Sequence, residues 1–109
     1  MASEVLKLAT FRGDASSVQA LLTVASGHTY TVLSVTICET GNAAETFKLL
    51  IDDGGGGADT YIYFDQALAA KTTFEHTSKL VLEGTDMLGF ITANSADVDV
   101  VVSYLDQTL

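Results

Sequence analysis

Proline and tryptophan are both absent from this 109-residue chain. Without proline, turns must rest on Gly, Asn and Asp, and no slow prolyl isomerisation delays folding. A single cysteine, Cys38, rules out an internal disulfide framework. It falls in mid-strand sequence and reads as a small, semi-buried hydrophobe rather than a nucleophile or ligand. Basic residues are scarce: five Lys and Arg stand against 14 Asp and Glu, for a net charge of −9. Nucleic-acid binding rests on Lys and Arg at phosphates, so that partner is excluded. Charged residues of any sign make up 17% of the chain and hydrophobic ones 48%. That is apolar for a small domain and points to apolar surface that ends in a subunit contact. No apolar run approaches the roughly 20 residues a membrane helix needs, and the first residues lack the order of a signal peptide. No membrane partner is expected.

The length fits one domain, able to hide roughly 65% of its unfolded surface without disulfide or metal. Residues 30–51 organise it. Leu33, Val35 and Ile37 point one way, and Ser34, Thr36 and Cys38 the other. Farther on, Phe47, Leu49 and Ile51 share a face opposite Lys48 and Asp52. Period-two alternation of this kind marks half-buried antiparallel strands. The intervening residues 39–45 are rich in turn formers, so the two strands are expected to form a hairpin.

Around that hairpin the chain reads as more strands. Residues 4–11 form a short strand or an arm reaching a neighbour. Arg12-Gly13-Asp14 spells the integrin-binding tripeptide but reads as a turn. Residues 18–25 suit a strand paired with 29–39, with His28 solvated at the turn between them. The four glycines at 54–57, flanked by Asp52, Asp53 and Asp59, read as a mobile acidic loop. They supply no alternating oxygen ligands for calcium and no Lys at a helix start for phosphate. Tyr61–Phe64 is β-prone, residues 67–70 could make one helical turn, and 72–77, 79–82, 87–93 and 98–105 read as strands. His76 lies in a polar-alternating stretch and reads as a surface residue. Val98, Val100, Val102 and Tyr104 share one face of the last strand. With turn signals every ~8–12 residues, the expected fold is all-β: an antiparallel β-sandwich or jelly roll of about eight strands. An N-terminal arm or edge strand covers residues 1–16, and the sandwich covers 17–109.

Chemistry is conspicuously thin. Nucleophilic catalysis needs Ser, Cys or Thr beside a positioned base, and only His28 and His76 could serve. No nucleophile-elbow, zinc-protease, C-x-x-C or Walker pattern occurs. The carboxylate pairs Asp52/Asp53, Glu83/Asp86 and Asp97/Asp99 fall in turns or on polar strand faces. The chain is read as a non-enzyme with no catalytic, cofactor-binding or metal residues and no cofactor.

From about Leu22 onward the chain resembles a group of small all-β proteins encoded among the structural genes of tailed bacteriophages. The pattern opens with Leu22-Thr23-Val24-Ala25-Ser26-Gly27 and continues through residues 34–42 and the F-x-L-x-I strand at 47–51. It then runs through Leu68-Ala69-Ala70 to Phe74, Leu82-Glu83-Gly84-Thr85-Asp86-Met87-Leu88, and the V-x-V-x-V strand at 98–103. Two positions depart from it: Ser26 stands where a proline is common, and Tyr104 where a glycine is usual. The resemblance implies a virion structural protein assembled in the host cytoplasm, first of all a capsid decoration (cement) protein. Its expected partners are the major capsid protein or another virion protein, and copies of itself, with a trimer favoured. Neck, tail or fibre attachment is the alternative. So is a carbohydrate- or receptor-binding sandwich using Tyr61, Tyr63 and Tyr104 as a stacking platform.

Overall fold

The computed structural model describes residues 2–53, 59–94 and 97–108. The glycine loop at 54–57 lies outside the described residues. Among those described, every regular element is a strand: β1 (Ser3–Asp14), β2 (Gln19–Thr23), β3 (His28–Glu39), β4 (Glu45–Asp52), β5 (Thr60–Leu68), β6 (Thr73–His76), β7 (Leu80–Glu83), β8 (Met87–Thr92) and β9 (Asp97–Thr108). They make two antiparallel sheets. In the first, the order is β1-β9-β3, and β6 and β7 lie end to end along the far edge of β3. In the second, the order is β2-β8-β4-β5. First and last strands are neighbours, and only β4–β5 and β6–β7 are successive strands within one sheet. This is the jelly roll, with its sixth strand broken in two as β6 and β7.

Three of the sequence expectations change here. β3 and β4 do not form a hairpin, because the chain crosses between sheets after Glu39. Each strand has one apolar face, and the crossing turns those faces toward each other across the sandwich. Gly41 makes the crossing compact: a Cβ there would lie 2.9 Å from Oε2 of the buried Glu39 carboxylate. Likewise β2 pairs with β8 and not with β3. Val24 N donates to Asp86 O, and Thr85 N donates to Val24 O, so the strand stays bound to the start of β8 before crossing. Third, Arg12-Gly13-Asp14 is no turn but the end of β1, paired with β9 throughout. Gly13 holds φ +122°, a conformation that glycine tolerates and other residues do not, and so keeps the strand in register.

The core fills the space between the sheets. Val35, Ile37, Phe47, Leu49, Val100 and Val102 are buried as their alternation requires. Phe47 sits among Phe74, Phe90 and Tyr63, with ring centroids 5.2, 5.6 and 6.0 Å away. Ile51 is only half-buried at the margin. Leu33 is a correction. The β3–β9 register shifts between Val32 and Ser34, so Val32 and Tyr30 point inward and Leu33 lies half-exposed at the bulge. The break between β6 and β7 falls at the same level, since Leu80 pairs with Val32 and His76 with Val35. Residues 67–70 make no helical turn: β5 continues to Leu68, which is buried.

Candidate interaction surface

Strand alternation that buries one face of the first sheet presents the other to solvent. On β1 the outward residues are Glu4, Leu6, Leu8, Thr10 and Arg12; Ala9 and Phe11 pack inward against the core. The registers then assemble a row across four strands: Leu6 beside Leu105, Leu105 beside Thr31, and Thr31 beside Val81. Leu6 is 73% exposed, and Leu8 and Val81 are each 63% exposed. Next to that row, the Leu33 bulge opens a hollow of about 340 Å3, lined chiefly by Leu6, Leu8, Leu33 and Ser103. Isolated exposed leucines are ordinary; here Leu6 and Leu105 stand side by side, and Val81 follows beyond Thr31, in one mostly apolar band.

Behind the band, on the inner side, a polar staple holds β1 in place. Lys7 Nζ donates to Asp106 Oδ2 at 2.8 Å, and His28 Nδ1 lies 2.7 Å from Oδ1. One buried carboxylate thus ties β1, β9 and β3 together. His28 is therefore not the solvated turn residue the sequence suggests. The hydrogen bonds from Lys7 and then His28 hold the Asp106 carboxyl below the usual range. The same hydrogen bond from Lys7 raises the ammonium. Beside them Tyr104 packs on Tyr30, centroids 4.9 Å apart, and its burial, then Tyr30, pushes its phenol up.

His76 is also a correction. It is buried, with Nδ1 2.9 Å from the Tyr63 hydroxyl, which bridges the two sheets. Among the described residues its Nε2 meets no hydrogen-bond partner. Cys38 faces outward from β3, whereas His76 faces inward. The tyrosine platform is not brought together, because Tyr104 is buried and Tyr63 is packed against Phe47 and Phe74. Tyr61 is exposed on the second sheet, edge to face with Phe64 at 4.9 Å, and Lys48 Nζ covers Phe64 at 4.5 Å. Among the described residues, no group of three His, Cys, Asp or Glu side chains is arranged to hold a metal. At the far end of the sandwich, Asp14, Glu39, Glu45 and Asp97 line an acidic hollow of about 240 Å3.

The staple joins residues as much as 99 positions apart, and no local motif announces it. The band had a signal in the outward positions of the alternating strands, but only the register aligns them.

The architecture is that of an antiparallel jelly roll. No family model matches the sequence, and no curated protein matches it. Solved structures do resemble its fold. A chain of the acid-stable capsid of Helicobacter pylori bacteriophage KHP30 superposes with a TM-score of 0.59 at 20% identity, covering 100% of this chain and 94% of that one. A chain of the Bacillus endospore appendages, a family of disulfide-linked pili, gives 0.59 at 11% identity, covering 99% and 88%. A chain of infectious bursal disease virus, Gx strain, gives 0.58 at 12% identity, covering all of this chain but 32% of that one. At these identities the likeness is one of fold.

Proposed function

We propose that this chain is a non-enzymatic virion structural protein of a tailed phage, and specifically a capsid decoration protein that binds and stabilises the lattice. The observation that carries the reading is the mostly apolar band Leu6–Leu105–Thr31–Val81 on a sheet that, among the described residues, has no second layer outside it. The sequence resemblance and the jelly-roll fold support it. The whole chain, with the edge strand at 1–16 and the sandwich at 17–109, acts as one unit whose partner is the major capsid protein. Its place is the virion, after assembly in the host cytoplasm. Assembly as a homo-oligomer belongs to the same reading. The resemblance favours a trimer, whereas the strand edge described below closes at two copies. Glycan binding loses its support, since two of the three tyrosines that would stack a sugar face inward.

Co-sedimentation with purified tail-less capsids and with isolated tails tests the reading. Binding to capsids is expected. Val81→Glu with Leu105→Glu should weaken it about tenfold or more, by placing charges in a desolvated contact. Tail binding alone, or capsid binding indifferent to both changes, sinks the decoration role.

A further inference from the structure

β1 has β9 on one side and, among the described residues, no strand on the other. It is 12 residues long, and its ladder with β9 runs without a register shift. Natural edge strands are usually blunted by shortness, bulges, proline or inward charge. β1 has none of the first three, and its inward charge, Lys7, is taken up by Asp106. A bare row of backbone donors and acceptors on this scale is a template for another strand.

We propose that this edge pairs with β1 of a second copy, antiparallel, across a twofold axis at Leu8. The side chains select that register. Residues directly opposite in an antiparallel pair lie on the same face. With Leu8 on the axis, Leu8 meets Leu8 of the second copy, Leu6 meets Thr10, and Glu4 meets Arg12 twice over. On the inner face Val5 meets Phe11, and Lys7 meets Ala9. Moving the axis to Lys7 sets Lys7 against Lys7. Moving it to Ala9 sets Glu4 against Asp14 and Leu6 against Arg12. An axis at Leu6 sets Lys7 against Val5 and leaves Phe11 and Arg12 past the end of the pairing. Among the described residues Glu4 accepts from Gln107 Nε2 at 3.0 Å and Arg12 makes no ion pair, so both can reach across. The first sheet becomes one continuous sheet through the axis, and the two apolar bands lie on the same outer face. Two chains that each carry −9 repel in general, and the two Glu4–Arg12 pairs supply the local exception. The contact is isologous and closes at two.

The inference goes beyond the capsid reading and does not depend on it, since the oligomeric state is measured without capsids. Light scattering after size exclusion should give a dimer. Glu4→Arg alone and Arg12→Glu alone should each raise the dimer Kd about tenfold, and the two together should restore it. In a Cys38→Ser background, Leu8→Cys should cross-link two chains under mild oxidation, whereas Leu6→Cys, which meets Thr10, should not. Circular dichroism shows that each variant is folded. A monomer at about 100 µM, a trimer, a charge swap that fails to restore pairing, or cross-linking through Leu6→Cys as fast as through Leu8→Cys would overturn the proposal.

Discussion

Asp106 is the shifted carboxylate among the described residues, and it ties three strands together. Its carboxylate has both oxygens occupied, by Lys7 and His28, and its pKa is lowered. The stability it contributes is therefore present above the unfolded carboxylate value of about 3.9 and is lost as pH falls through the lowered folded value. Lys7 and Tyr104 are shifted up. Their contributions are present below about 10 and are lost as pH rises through the raised folded values. For these groups stability is flat from about pH 5 to 9. Asp106→Asn should lower the melting temperature across that plateau, and the gap to the parent should narrow as pH falls from the unfolded carboxylate value of about 3.9 through the lowered folded value. A gap that stays as wide there would mean that the carboxylate's charge is not what ties the strands. None of this was legible in the sequence. Asp106 follows an alternating strand as an ordinary acidic residue, and its partners lie 78 and 99 positions away. His76 hides its role for a related reason: flanked by Glu75 and Thr77 it looks solvated, but its position on β6 points it at Tyr63 in the other sheet.

At the scale of the strand, alternation located most elements well and the phase of β3 badly. Tyr30 and Val32 form one inward set, and Val35 and Ile37 another, offset by one residue. The sequence held that signal: Val32 and Val35 cannot both be inside a regular strand. A bulge reconciles them, at the level where the neighbouring strand breaks into β6 and β7. The misread residue is also the one that shapes the outer hollow, because Leu33, turned out by the bulge, forms part of its lining. Val32→Ala should cost about 1–3 kcal/mol in urea unfolding, as a cavity in a closed core does, whereas Leu33→Ala should cost less than about 1. Equal costs, or a larger one at Leu33, would restore the unbulged register.

Across the whole molecule, the count of strands and the two-layer packing follow from local spacing, but the order of strands does not. Turn signals say where a strand ends; they do not say whether the next one pairs beside it or crosses to the other sheet. In this chain most connections cross, and the strands farthest apart in sequence, β1 and β9, pair over their full length. These long strands match the 48 Å long axis, since 12 extended residues span about 40 Å. That topology decides how the N-terminal segment behaves. Although Leu6 and Leu8 make it look like an arm, its other face carries Ala9 and Phe11 into the core and Lys7 to Asp106. A chain beginning at Ala15 would bare the edge of β9 from Asp97 to Thr108, open one flank of the core and leave Asp106 with His28 alone. Each kcal/mol lost shifts a domain of this size by roughly 4–8 °C, so losing a whole strand should lower the melting point by more than about 10 °C. A synthetic peptide of residues 2–14 added in trans should raise it again with concentration, because it binds only the folded remainder. A truncated chain that melts with the parent, or that ignores the peptide, would show that the segment is an arm after all.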